Sequence, residues 1–284
     1  MRALAEFIMR GRVQACLVAL VGVVVPLVGP AAIGLVTLRK GNAEGVLVTL
    51  WASLPFVVSY FAGQSSPFVA VMSILGLVNM LLVANVLRVT ASWGLTLVSN
   101  VGVAVVLATI AGLVFQNDLT VLMLDLTEIV TNASQQLEQD FVLPPPSGVL
   151  AWVAWMTAFS ALLGLVVARW WQALLFNPGG FQHEFQGIRL EPKVALGCCI
   201  LIILGFTVLS DFQFWLQLAS IPLIVCGLSL LHFTVKVRKA GGHWLVLIYL
   251  GVFLGPVMSG LLVALGAIDS VLNLRARLGS DNQS

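Results

Sequence analysis

No charged side chain occurs between Ala91 and Phe115, and a helix over that run would be about 37 Å long. The hydrocarbon layer of a bilayer is ~30 Å thick, so this stretch alone is long enough for a complete crossing. Apolar runs recur along the 284 residues. Only 9% of the chain is charged, and its mean hydropathy is +1.04. These values exclude a soluble protein and predict an all-α, polytopic transmembrane helical bundle whose solvent at most surfaces is the lipid bilayer.

Basic residues mark the cytoplasmic side of such proteins, and one topology gathers all 14 Lys and Arg there. With the N-terminus inside, a first helix covers Val13 to Leu27, breaking near Pro26 and Gly29-Pro30, and a short second helix from Ala31 to Leu38 returns to Arg39-Lys40. Arg2, Arg10 and Arg12 before this apolar run resemble a signal peptide. The basic pair that would have to be exported argues for a retained membrane helix instead. A third helix runs from Gly45 to Phe61, a turn at Gly63 to Pro67 reverses it, and a fourth returns to Arg88. The fifth, Ala91 to Phe115, leads to a segment over 116–147 holding Asp118, Asp125, Glu128, Glu138 and Asp140 with no cation. Within it Leu122, Leu126, Ile129, Ala133 and Leu137 recur at helical spacing, which predicts an amphipathic helix on the outer face, ended by Pro144-Pro145-Pro146.

A sixth helix, Gly148 to Ala168, completes a membrane core over 1–168. The next segment, 169–193, opens with Trp170 and Trp171 at the expected headgroup level and turns at Asn177-Pro178-Gly179-Gly180. Phe181, Phe185 and Ile188 then fall at i, i+4 and i+7, predicting a short helix on the cytoplasmic surface. That apolar stripe is a candidate docking face for a cytoplasmic protein. Over 194–284 further membrane segments follow: Val194 to Ser210, Phe212 to Phe233, and a block from Gly242 to Leu274 broken at Gly255-Pro256. Arg275 and Arg277 keep the C-terminus cytoplasmic and favour two short half-spans in that block.

Few residues carry chemistry. Cys16, Cys198, Cys199 and Cys226 lie in apolar segments without metal-ligand or redox spacing. His183 precedes Glu184, but the zinc-protease pattern would require a second His where Gly187 stands. Neither a metal nor a cofactor is expected, nucleic acid is not a partner, and no enzymatic site is predicted. A small-molecule pocket would need polar or aromatic groups at matching depth in neighbouring helices. Asn79 and Asn100 fall near the middle of their spans, Ser59, Tyr60 and Gln64 close the outer end of the third helix, and Trp152 and Trp155 enter the sixth. The alternative is that the asparagines bridge helices and the tryptophans belong to an aromatic belt. Asp269 is expected to meet Arg275 or a neighbouring cation.

The runs LFNPGGFQHEF, LRKGNAEG and IDSVLNLRARL resemble the YybS-like family of uncharacterised bacterial integral membrane proteins. That family is distantly similar to the S components of energy-coupling-factor transporters, whose six-helix pattern matches Val13 to Ala168. The resemblance implies an S-component-like core in a bacterial inner membrane, extended by additional C-terminal helices. It also implies a small-molecule binding or transport subunit that needs an energising partner. S components dock on a transmembrane partner through small residues four apart on the first helix, a place held here by Ala15 and Ala19; such pairs, like Gly251 with Gly255, equally serve packing inside the chain. The competing expectation is a non-transporting scaffold that recruits a partner through Phe181, Phe185 and Ile188.

Overall fold

The computed structural model describes residues 1–137, 141 and 143–280. Glu138 and Asp140, the last carboxylates expected in the acidic segment, lie outside the described residues. Among those described, every regular element is a helix, and the protein is a polytopic transmembrane bundle. Among the described residues five helical stretches are long and apolar enough to cross a bilayer, and a bent helix pair makes a sixth if it is counted as one span.

The chain opens with α1 (Arg2–Arg10), a helix not foreseen in the sequence, with Ala5 and Ile8 buried. Extended backbone at Gly11 separates it from α2 (Arg12–Val21). The expected first helix to Leu27 therefore ends one and a half turns early. Gly22 turns the chain, its N–H donating to the Val18 carbonyl at 2.7 Å, and Gly29 donates back to Gly22 at 3.1 Å. Then come α3 (Val28–Lys40), α4 (Asn42–Phe61), α5 (Pro67–Thr90) and α6 (Trp93–Val114). The acidic amphipathic helix is α7 (Gln116–Leu137), and α8 (Pro146–Phe176) follows.

At 31 residues, α8 is about 46 Å long and extends well past the expected end at Ala168. The two tryptophans thus sit inside a continuing helix rather than at its exit. Because consecutive residues on a helix point about 100° apart, they part company: Trp170 stays exposed while Trp171 is buried.

The rest of the chain comprises α9 (Gly180–Phe185), α10 (Pro192–Thr207), the one-turn α11 (Gln213–Leu216) between two 3-10 turns, and α12 (Ser220–Val237). The C-terminal part holds α13 (His243–Leu254), α14 (Pro256–Leu272) and α15 (Leu274–Ser280). The expected break at Gly255-Pro256 is present: α13 and α14 meet there at 117°. Pro256 opens α14 at a position where its missing N–H costs nothing.

The described chain forms two compact units. The first comprises 1–88 and 99–171, the second 89–98 and 172–284. In the first unit α3, only 13 residues long, is buried from Ala31 through Leu38. At Gly34 the approach is close, since a β-carbon there would strike Met80 and Ala168, the kind of contact that small residues allow between helices in lipid. In the second unit α12 and α14 meet backbone to backbone. A β-carbon on Gly227 would strike the Leu262 carbonyl, and one on Gly266 would strike the Leu223 carbonyl.

Outward faces are apolar. Leu50, Val58 and Phe61 of α4, Ile110 and Leu113 of α6, and Phe253 of α13 are exposed. In water such a surface would aggregate; on a membrane-spanning chain it is the face presented to lipid.

Candidate functional site

In the first unit the two asparagines picked from the sequence do come together. Both are buried, and Asn79 Nδ2 on α5 donates to Asn100 Oδ1 on α6 at 2.9 Å. Asn100 Nδ2 donates in turn to the Ala158 carbonyl of α8 at 2.8 Å. A relay from α5 through α6 to α8 ties three helices at one depth, which is the bridging alternative. Ser59 is half-buried, and Tyr60 and Gln64 are exposed at the end of α4. Trp152 is exposed, and Trp155 stacks on Phe159 with ring centroids 4.8 Å apart. The relay closes on the α8 backbone rather than on these groups.

Ala15 and Ala19 are fully buried, so the small face of α2 is turned into its own unit. At the start of the same helix Arg12 Nε bonds Glu44 Oε2 at 2.9 Å, closing α2 onto the first turn of α4. The signal for that pair was present in the sequence only as two charges in a sparsely charged chain.

In the second unit the expected surface helix is shorter than its apolar spacing suggested. α9 stops at Phe185, where Gln186 and Gly187 turn the chain, so Ile188 lies outside the helix and is buried at 2% exposure. Phe181 and Phe185 face each other at 5.8 Å, and Phe185 also packs edge-on to His232 at 5.2 Å. The Phe185 carbonyl accepts the Ser229 hydroxyl at 2.6 Å. Of the three residues proposed for docking, Phe185 and Ile188 are therefore engaged in the unit's own packing. Glu184 accepts the Trp93 indole N–H at 2.6 Å, which commits the carboxylate beside His183 to a structural bond.

Arg275 organises this end of the unit. Its guanidinium donates to the carbonyls of Gln186 and Ile188, the latter at 2.8 Å, and to Ser229 Oγ at 3.0 Å. On its other side Nε lies 2.9 Å from Asp269 Oδ2, a carboxylate with 0% exposure. Among the described residues neither Asp269 oxygen has a well-aligned hydrogen-bond donor, so charge attraction at 2.9 Å contributes most to holding this pair. Burial pushes the Arg275 guanidinium below its ordinary pKa, and Asp269 pulls it back up.

The meeting of Asp269 and Arg275 depends on a break in the helix. Residues six apart on a continuous helix point about 120° away from each other. Asn273 ends α14 in the left-handed conformation, φ 51°, with its N–H on the Asp269 carbonyl at 2.9 Å. Asparagine is one of the few residues that enters this region readily. The reversal lets α15 carry Arg275 back to the face from which Asp269 projects.

Beside this pair lies an open cavity of about 570 Å³, lined by His183, Arg189, Lys236, Asn273, Phe233 and Arg275 among others. A neighbouring cavity of about 330 Å³ shares Gln186 and Lys236 with it and adds Lys239 and His232. Read from the sequence, Lys236, Lys239 and Arg275 are only markers of the cytoplasmic side. Their convergence is a tertiary fact. Among the described residues no group of three or more His, Cys, Asp or Glu could hold a metal ion.

These features define a class, the multi-pass α-helical membrane proteins, with a buried ion pair next to a basic cavity in one of two compact units. No family model matches this chain, and no curated protein or solved structure matches it either.

Proposed function

We propose that this chain is a small-molecule binding or transport subunit of a bacterial inner membrane, with both termini in the cytoplasm and its energy supplied by a partner protein. The observation that carries the reading is the Asp269–Arg275 pair: an aspartate with no solvent exposure, ion-paired at 2.9 Å on the last apolar helix, beside an open cavity. Charges inside membrane bundles are costly to bury and concentrate where ligands or ions are handled. The resemblance to S components supports the dependence on a partner. No step of bond chemistry is part of this reading.

The test is in two parts. Native complexes solubilised from membranes are captured through a tagged copy, and purified protein is screened by thermal denaturation against vitamins, nucleobases and organic anions. A ligand at 100 times its dissociation constant stabilises by about 2.7 kcal/mol. A stoichiometric partner carrying a nucleotide-hydrolysing subunit, or a ligand-dependent shift, supports the reading. Absence of both overturns it. A soluble co-purifying protein lost on Phe181→Asp, with no ligand, would instead make the chain a scaffold.

A further inference from the structure

The cavity wall carries an imbalance that the fold itself does not require. Arg189, Lys236 and Arg275 contribute three positive charges, and among the described residues no carboxylate lines the cavity. Asp269, behind Arg275, offsets one of the three. Glu184, next to His183 in sequence, accepts the Trp93 indole N–H and does not line the cavity. His183 adds a further polar group at the rim, and Lys239 lines the adjoining cavity that shares Lys236.

The ordinary explanations cover only part of this set. A lysine in the last turn of a helix complements the negative end of its dipole, which accounts for Lys236 at the end of α12. Arg275 is accounted for by Asp269 and the carbonyls it caps. The cytoplasmic-side bias of basic residues accounts for a cation at Arg189 but not for its place on this cavity wall. Arg189 lies in the stretch between α9 and α10, caps no helix, and its side chain lines the same cavity as Arg275. The two guanidiniums share one cavity wall and repel, although burial, which lowers the Arg275 pKa, and Asp269, which raises it, both outweigh the small downward push from Arg189. Two like charges brought to one cavity are stabilised by an anion placed between them.

The shape and chemistry of the wall narrow the anion. Guanidiniums present flat forks of N–H donors that match phosphate and carboxylate oxygens in pairs, and a lysine ammonium adds a point charge. Asn273 supplies a neutral polar group, while Phe233 gives an apolar side under the Arg275 guanidinium, whose carbon lies 5.9 Å from the ring centroid. Basic pockets among membrane helices, next to apolar surface, suit the phosphate of a lipid headgroup as well as a soluble phosphate compound. We propose that the cavity bounded by Arg189, Lys236 and Arg275 is a binding site for a phosphate-bearing anion.

This inference rests on the reading of the chain as a binding subunit, and its test separates the two. Full-length protein in neutral detergent with phosphatidylcholine is heated with increasing inorganic phosphate, or with phosphatidylglycerol replacing part of the phosphatidylcholine. The expected result is a rise in Tm of about 5 °C at saturation with one of these probes. Phosphate alone acting identifies a soluble ligand; phosphatidylglycerol alone identifies a headgroup.

Arg189 and Lys236 are both exposed, so Arg189→Gln and Lys236→Gln should fold, and each should weaken the apparent affinity about tenfold. Lys193→Gln, an exposed cation outside the cavity, should leave it unchanged. No shift with either probe, or a shift that survives both single substitutions, overturns the site. A neutral ligand that stabilises the protein while both anions fail removes this inference and leaves the binding-subunit reading intact. Phosphatidylglycerol stabilisation with no partner and no soluble ligand does the reverse.

Discussion

Asn79 on α5 donates its side-chain amide to Asn100 on α6 at 2.9 Å, and Asn100 passes the connection on to the Ala158 carbonyl of α8. The two asparagines are therefore unequal. Asn100 takes part in both interhelical bonds of the relay and Asn79 in one. Interhelical hydrogen bonds in membranes are worth about 0.6 kcal/mol on average and up to ~1.7. Asn100→Ala should lower stability by about 1–3 kcal/mol, and Asn79→Ala by roughly half as much. Unfolding of the purified variants in mixed micelles with increasing denaturing detergent measures both. Equal losses would show that the relay does not carry the load assigned to it.

Gly227 and Gly266 hold α12 and α14 at backbone contact, each opposite a carbonyl of the other helix. A carbonyl cannot turn aside as a flexible side chain can, so Gly227→Ala or Gly266→Ala must separate the helices. Overpacking of this kind costs about 1–3 kcal/mol. Gly260, on the same α14, has nothing among the described residues within 4 Å of where a methyl group would stand, so Gly260→Ala should be stabilising by about 0.5–1 kcal/mol through helix propensity alone. The paired comparison in thermal denaturation controls for helix propensity.

Arg275→Gln leaves Asp269 as a buried charge without its ion-pair partner, a change that costs about 3–5 kcal/mol. Adding Asp269→Asn should recover part of that loss, which a double-mutant cycle reads as coupling. Arg275→Lys should not restore stability, because one ammonium cannot reach Asp269, the Ile188 carbonyl and Ser229 together. At Asn273 the backbone decides: Asn273→Gly should be tolerated, whereas a β-branched Asn273→Val is strained at φ 51° by about 1–2 kcal/mol and should loosen the pair.

A cysteine introduced as Gln135→Cys, in a background with the four native cysteines replaced, should react with a membrane-impermeant maleimide in intact cells whose outer membrane has been permeabilised. Gln135 is exposed near the end of α7, so accessibility within the fold is not limiting. Labelling only after inner-membrane lysis would invert the proposed orientation and place the basic cavity outside the cytoplasm.

The membrane class, the helical fold and most long helices were legible in the sequence, because apolar length and the position of charges are one-dimensional properties set by the bilayer. The kink at Gly255-Pro256 was legible for a similar reason: proline and glycine act on their own backbone. Helix ends were less so. α2 stops at Val21 and α9 at Phe185 where hydrogen bonds at Gly22 and Gln186 close the turns, and α8 runs on to Phe176 through residues the sequence alone placed at the membrane exit.

Depth brought Asn79 and Asn100 to attention, and their side chains do meet. Small residues four apart on α2 already allowed for packing inside the chain, and Ala15 and Ala19 are buried; sequence could not say that Ile188 would be turned inward, since an irregular segment has no helical face to reveal it. Nor could it gather Arg189, Lys236 and Arg275, which are separated by 47 and 39 residues, around one cavity. Hydropathy determined that this chain lives in lipid. Only the close approach of α12 to α14, and the left-handed turn at Asn273 that swings Arg275 back to Asp269, decided where its charges converge, because those depend on contacts between segments distant in the chain.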